Sequence, residues 1–370
     1  MGSPHTPRPF RRVCLLTAGG DAPGLNAVIR AFVKRADALG IEVLGSEDGF
    51  SGLMESPRRV VPLDRASVRG ILHRGGSILG CSNKANPFAE LVTAADGTEA
   101  SVDASARVRS NLDALGVDAL VLVGGDGTMY MGQRFVEQGV PVIGVPKTID
   151  NDLGVTDLTF GFDTAVSTAT WAIDTLHSTA EAHDRVMVLE VMGRDAGWIA
   201  LESGIAGGGD IILIPEIPYD IDRVVAHIEA RAERGTTFSL VIVGEGAYPV
   251  GGAPSVLQAG REGHLPRLGG AGERVASLLR ERMKHDVRVT VLGHLQRGGS
   301  PTAFDRVLGT RFGVHAAELC HRGVRGRLVV LAGTRVTDVS LAEAVSNPKR
   351  VDPNGELART ARAIDIELGG

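Results

Sequence analysis

Cysteine is scarce in this chain: Cys14, Cys81 and Cys320 lie far apart. An odd, sparse set supplies neither zinc-ligand spacing nor a disulfide framework. It suits a reducing compartment, so a cytoplasmic location is expected. Aromatic residues make up only 4% of the sequence, so the core must be packed from aliphatic side chains. Blocks of basic residues are missing, and 39 Lys and Arg against 44 Asp and Glu give a net charge of −5. That balance argues against a general nucleic-acid or anionic-membrane binder. No run of about 18 apolar residues occurs, so no transmembrane helix is expected. The opening MGSPHTPRPFRR has no apolar stretch behind its basic residues and does not read as a signal peptide. Its first ten residues are expected to form a loose tail. What is plentiful is glycine, 49 of 370 residues, about twice the ordinary share. The 43% hydrophobic and 22% charged fractions exclude a disordered chain. At about 150 residues per domain, the length predicts two domains or one large α/β domain.

The glycines have a pattern. Residues 12–18 (RVCLLTA) form a short apolar run ending in Gly19-Gly20, and Leu25 to Leu39 then carries apolar residues at helical spacing. This reads as strand, glycine-rich turn, helix. Further apolar runs at 118–127, 141–146, 185–193, 210–215, 238–246 and 288–294 read as strands. They do not alternate with polar residues, as one wet face would require, so they are expected to be buried parallel strands. Helical patterns lie between them at 103–115, 162–182, 220–234, 270–284 and 302–320. Alternating β and α elements predict doubly wound, mainly parallel sheets. The segment after about 335 is more polar and weakly periodic, with turns expected at Asn347-Pro348 and Asp352-Pro353. In open α/β sheets ligands bind beyond the carboxyl ends of the strands, so the turns should carry the chemistry.

The first turn is Gly19-Gly20-Asp21-Ala22-Pro23-Gly24. Its glycines let a backbone approach a bulky anion at a helix start. A tight strand-to-helix connection explains it equally well, and it lacks the GxGxxG dinucleotide fingerprint. The second, Gly124-Gly125-Asp126-Gly127-Thr128, sets an acid between glycines. It suits phosphate with Mg²⁺ on the carboxylate, or a helix-capping Asp. The third, Pro146-Lys147-Thr148-Ile149-Asp150-Asn151-Asp152, gathers two carboxylates, an amide, a hydroxyl and an ammonium in one loop. Phosphoryl transfer to an alcohol needs a carboxylate to receive the hydroxyl proton and positive charge to balance the phosphates. Further on lie Met192-Gly193-Arg194, Glu245, and Leu292 to Gly299, which contains His294, Leu295, Gln296 and Arg297. Arg185 and Arg288 each open a strand. Singly they read as solvated strand-end charges. Together with His294 and Arg297 they suggest a sugar-phosphate pocket, since arginine binds phosphate through paired hydrogen bonds.

Taken in order, GGDAPGLNAVIR (19–30), GGDGT (124–128), PKTIDND (146–152), VMGR (191–194), GEG (244–246) and LGHLQRGGSPTAFDR (292–306) resemble the 6-phosphofructokinase family over about residues 12–325. The resemblance implies two doubly wound α/β domains with the active site in the cleft between them. They would comprise 1–161 plus about 301–349 for nucleotide and 162–300 plus about 350–370 for sugar phosphate. It implies ATP-dependent phosphorylation of fructose 6-phosphate to fructose 1,6-bisphosphate in a homotetramer or homodimer, with no nucleic acid or membrane partner. Gly20, Gly125, Asp126, Gly127 and Thr128 would hold the donor phosphates, with Mg²⁺ at Asp126. Asp150 would be the general base, Thr148 and Arg194 would steady the transferring group, and Asp152 would order the metal side. Ile149, Met192, Gly193, Glu245, His294, Leu295, Gln296 and Arg297 would line the sugar-phosphate site. Arg185 and Arg288 match arginines that reach the sugar phosphate of a neighbouring subunit.

Two positions bear on the donor. Pyrophosphate-using relatives generally carry an acid after GGD and a lysine before TID; this chain has Gly127 and Lys147. An acid at 127 would fill and repel the α-phosphate site, so Gly127 favours ATP by leaving it open. Pyrophosphate dependence, or another ketose phosphate such as sedoheptulose 7-phosphate, is the alternative. Where many relatives carry a phosphate-contacting arginine, this chain has Asn83 followed by Lys84, a point cation instead of a fork. The family's effector site is matched only in part: Arg30 and Arg65 fit and Lys34 keeps a charge, but His177 and Thr236 replace cations.

Overall fold

The computed structural model describes residues 8–93, 97, 99–258, 267–344 and 348–370. Two compact units emerge: Met1–Thr148, Leu153–Gly161 and Arg297–Pro348 form the first, and Ile149–Asp152, Phe162–Gln296 and Lys349–Gly370 the second. In chain order the strands are β1 (Arg12–Thr17), β2 (Glu42–Ser46), β3 (Val60–Leu63), β4 (Glu90–Thr93), β5 (Glu99–Val102), β6 (Ala119–Gly124) and β7 (Val142–Pro146). Then come β8 (Val186–Val191), β9 (Ile211–Leu213), β10 (Ser239–Gly244), β11 (Val256–Gln258), β12 (Arg267–Leu268), β13 (Val287–Val291), β14 (Arg327–Ala332) and β15 (Arg335–Ser340).

The first unit is built on a sheet of order β15-β14-β7-β6-β1-β2-β3. Its five inner strands are parallel, and β15 and β3 pair antiparallel at the edges. Successive side chains on a strand point to opposite faces, and here each face has its own core. Val13, Leu15, Val121, Val123 and Val145 pack with Val28, Phe32 and Phe312 of the helices Leu25–Ala38 and Ala303–His321. Cys14, Leu16, Leu120 and Leu122 pack with Val108, Leu112, Met129 and Phe135 of the helices Ser105–Ala114 and Asp126–Glu137. Helices on both faces explain the uninterrupted apolar runs. The chain moves from β1 outward to β2, then returns to β6 on the other side of β1 and continues to β7. The direction of winding therefore reverses between β1 and β6, where open α/β sheets bind ligands.

The second unit has a parallel sheet of order β13-β8-β10-β9. Val186, Val188, Val241 and Val243 pack with Val224, Ile228, Val275 and Leu279 of the helices Ile221–Glu233 and Ala271–Arg282. The helices Phe162–Glu181 and Trp198–Ala206 pack on the opposite face. No helix among the described residues is long and apolar enough to cross a membrane.

Three expectations need correcting. The run at 288–294 is not buried on both faces, because β13 is an edge strand and leaves Arg288 and Val291 exposed. The polar segment after 335 holds β15, whose Arg335 and Thr337 are exposed at the sheet edge, and a helix at Glu356–Ala363. Residues 1–7 of the expected loose tail lie outside the described residues, as does Asn347 of the expected turn. Phe10 is not loose: it is buried and its N–H donates to the Cys320 carbonyl at 3.1 Å.

Candidate active site

In the first unit three turns converge at the winding reversal. The strand ends β1 and β6 are neighbours, so Gly19-Gly20 and Gly124–Thr128 follow adjacent strands. Pro146 pairs with Gly124, and the Lys147 N–H donates to the Gly124 carbonyl at 2.9 Å, so the third turn begins beside the second. Two cations brace the first turn. The buried Lys147 donates its Nζ to the Gly20 carbonyl, and Arg297 Nη1 donates to the Asp21 carbonyl at 3.0 Å. A Cβ at Gly20 would start 2.8 Å from that guanidinium, so a side chain there would push on the Arg297 brace.

The helix Asp126–Glu137 begins directly at the second turn, with Gly125 as its N-cap and the exposed Asp126 in its first turn. Asp126 is thus not the capping residue. Its carboxylate stands at the positive end of the helix, where free N–H groups favour anions. A Cβ at Gly127 would meet nothing within 4 Å, so the space beside Asp126 is open. An exposed carboxylate at a helix start suits Mg²⁺, which keeps several waters and takes substrate phosphate oxygens as ligands. Among the described residues no group of three or more His, Cys, Asp or Glu is placed to hold a metal ion, and an ion shared with phosphates requires none.

Asn83 and Lys84 are exposed on a segment laid beside β1: Ala18 bridges Ser82, and the Gly19 N–H donates to the Ser82 carbonyl at 3.0 Å. Asn26, only 1% exposed, holds residues 74–78 earlier in the same loop. Its Nδ2 donates to the Arg74 and Gly75 carbonyls at 3.1 and 3.2 Å, and its Oδ1 accepts from Ile78 N–H at 2.9 Å. Asn26 lies in the GGDAPGLNAVIR motif with no role of its own to be read there, although a polar residue on an apolar helix face was the available signal. Thr148 caps the third turn's first half, its carbonyl accepting the Thr159 hydroxyl at 2.7 Å.

In the second unit Ile149 and Asn151 are buried, while Asp150 and Asp152 are half-buried. Asn151 takes a left-handed backbone (φ 50), a conformation asparagine tolerates. The turns after β8, β10 and β13 interlock. The Glu245 N–H donates to the Val191 carbonyl at 2.9 Å and the Gly246 N–H to the Gly193 carbonyl at 3.1 Å. Gln296 is fully buried; its Oε1 accepts the Met192 N–H at 3.3 Å and its Nε2 donates to the Gly293 carbonyl at 3.1 Å. Its amide therefore ties the Met192 turn to the His294 turn instead of lining a site, while His294 and Leu295 are exposed. Glu190, buried inside β8, was also missed. It accepts the Gly270 and Gly272 N–H groups at 3.3 and 2.8 Å and so holds the start of the helix Ala271–Arg282. A charged residue in the middle of VMVLEV was the available signal.

Arg185 and Arg288 are not brought to these turns. They lie at the opposite end of the sheet, about 20 Å away along a six-residue strand, and share Asp286. Arg185 Nε donates to its Oδ2 at 2.8 Å and Arg288 Nε at 3.1 Å. The Arg185 hydrogen bond, with both nearby charges, holds Asp286 below the usual carboxylate range.

Comparison with known proteins agrees with this arrangement. The phosphofructokinase family pattern matches residues 12–320. The chain is 50% identical over 364 residues to the ATP-dependent 6-phosphofructokinase 2 of Clostridium perfringens, covering 98% of this chain and 99% of that one. It is 49% identical over 346 residues to the pyrophosphate–fructose 6-phosphate 1-phosphotransferase of Streptomyces coelicolor, covering 92% and 96%. The solved structure of phosphofructokinase from Saccharomyces cerevisiae matches with a TM-score of 0.74 at 29% identity, over 90% of this chain. This chain spans 45% of that yeast chain's length. A chain whose six motifs lie at strand ends of its two parallel sheets, and which shares half its residues with such relatives, belongs to the phosphofructokinase family.

Proposed function

We propose that the chain is an ATP-dependent 6-phosphofructokinase that converts fructose 6-phosphate to fructose 1,6-bisphosphate. Near-equal identity to an ATP-dependent and a pyrophosphate-named relative leaves the donor to local chemistry. The carrying observation is the open space at Gly127, beside Asp126 and at a helix start. With glycine at 127 no side chain fills the space that this reading gives to the nucleotide's α-phosphate, and position 127 itself adds no repelling charge.

In this reading the first unit binds the nucleotide and the second the sugar phosphate. Backbone N–H groups at the start of the helix Asp126–Glu137 cradle the donor phosphates, with Gly20 and Thr128 beside them. Asp126 would hold Mg²⁺, which when bound offsets charge on those phosphates. Asp150 accepts the proton of the sugar 1-hydroxyl as its oxygen bonds to the γ-phosphorus. The bond from that phosphorus to the ADP oxygen breaks, and Arg194 and Thr148 steady the moving phosphoryl group. Met192, Gly193, Glu245, His294 and Arg297 hold the sugar phosphate. Arg185 and Arg288 face away from their own pocket, which supports their serving a neighbouring copy in a homo-oligomer.

A second reading, pyrophosphate as donor, is favoured by Lys147, whose buried ammonium sits at the first turn. A coupled assay separates the two by comparing kcat/KM for ATP and pyrophosphate over a panel of ketose phosphates. Preference for ATP with fructose 6-phosphate is expected. Preference for pyrophosphate, or for sedoheptulose 7-phosphate, would replace the corresponding part of the proposal.

A further inference from the structure

The segment Lys349–Val351 joins parts of the second unit that lie far apart in sequence. The Lys349 N–H donates to the Asp152 carbonyl at 2.7 Å, two residues after the proposed base. The Lys349 carbonyl accepts the indole Nε1–H of Trp198 at 3.2 Å, and its ammonium lies 5.3 Å from the centre of the same ring. Trp198 opens the helix that follows the Arg194 turn. Two residues on, the Val351 N–H donates to Glu216 Oε1 at 2.8 Å, and Val351 is buried. The same carboxylate accepts the Gly197 N–H, at 3.0 Å to Oε1 and 3.1 Å to Oε2. Burial pushes the Glu216 carboxyl up, while the hydrogen bonds from Gly197 and Val351 pull it back. Lys349 and Val351, two residues of one segment, thus fasten the Asp150–Asp152 loop on one side and the end of the Arg194 turn on the other.

We infer that Lys349–Val351 is a positioning strap for phosphoryl transfer, with Trp198 as its anchor, setting the Asp150 loop in register with the Arg194 turn. The inference rests on the proposed role of Asp150. Trp198 touches no reacting atom in this scheme; it acts through the Lys349 carbonyl, and Lys349 acts through Asp152. A register error of a fraction of an ångström at the base lowers turnover without emptying the pocket, because binding contacts lie on other turns.

The test is a double-mutant cycle on the full-length enzyme. Trp198→Phe keeps an aromatic ring and removes the N–H donor together with part of the indole's volume. It should lower kcat about tenfold and leave KM for fructose 6-phosphate and ATP within about twofold, since binding groups are untouched. In an Asp150→Asn background the same change should have little further effect, because there is no base left to misplace. Lys349→Pro, which deletes the N–H donated to Asp152, should give the same pattern and serves if the Trp198 variant fails to fold. Additive losses in both backgrounds, or an unchanged kcat with Trp198→Phe, would overturn the strap. An Asp150→Asn enzyme with wild-type turnover would instead overturn the assignment of the base.

Discussion

Gly246→Ala tests whether the interlock between the turns after β8 and β10 matters for turnover. A Cβ at 246 would lie 2.8 Å from the carbonyl carbon of Arg194 and 3.1 Å from the Gly193 oxygen, and closer still to the Arg194 oxygen. Ordinary contact begins at 3.4 Å, so the carbonyl carbon must retreat by about 0.6 Å and its oxygen further, because rigid interiors do not absorb overlap. The obstacle is backbone, which cannot swing aside as a side chain would. Overpacking of this kind costs about 1–3 kcal/mol, which lowers Tm by roughly 3–10 °C for a domain of this size. The larger effect is catalytic. Arg194 moves with its own backbone, and a displacement of about 1 Å costs about 10²-fold, or about 2.7 kcal/mol of barrier. A coupled assay at saturating substrates, with Tm by calorimetry, reads both. Gly127→Ala is the matched control, since a Cβ there meets nothing within 4 Å; it should keep the wild-type Tm. If Gly246→Ala keeps kcat within threefold at an unchanged Tm, the two turns are not in the contact described and the reasoning is wrong.

Asp150→Asn should leave both KM values nearly unchanged and lower kcat by about 10²–10⁴-fold, the usual worth of a general base; a variant above half of wild-type turnover would remove Asp150 from that role. Mixing inactive Arg185→Ala and Asp150→Asn chains should restore part of the activity, because some shared sites would be intact. No recovery in hybrids seen by native mass spectrometry would count against a shared site. Gly127→Asp should lower kcat/KM for ATP by roughly 10²-fold or more through charge repulsion in a partly dry site, and an unchanged ATP efficiency would sink the donor reading. Asp338 is half-buried among Arg327, His315 and Arg322. Burial works to raise its pKa, but the hydrogen bonds and charges of Arg327 and His315 prevail and lower it. Its stabilisation is therefore present above the ordinary aspartate value of about 4 and lost as pH falls through the lower folded value. Asp338→Asn should lower Tm at neutral pH, with the gap from wild type closing below about pH 4; a gap constant with pH would refute this.

Much of this protein was legible in its sequence because strand and turn carry local signatures. Uninterrupted apolar runs such as ALVLVG specify strands buried on both faces, and glycines after them specify turns that bring backbone to an anion. The side-chain types in PKTIDND suggest the chemistry proposed for that loop before any coordinate is known. The sequence could not reveal which residues act at a distance. Gln296 looked like a lining residue and is a fully buried tie between two turns. Glu190 looked like an interruption of a strand and holds a helix 80 residues away. Trp198 and Lys349 are separated by 151 residues and meet through one hydrogen bond. Arg185 and Arg288 match arginines that reach a neighbouring subunit, and only strand direction shows that they lie at the far end of their own sheet. Periodicity is a property of neighbours in the chain, and it fixes which face of an element is apolar. Which carbonyl a buried N–H meets depends on strand order and register, and those arise only when the whole sheet closes.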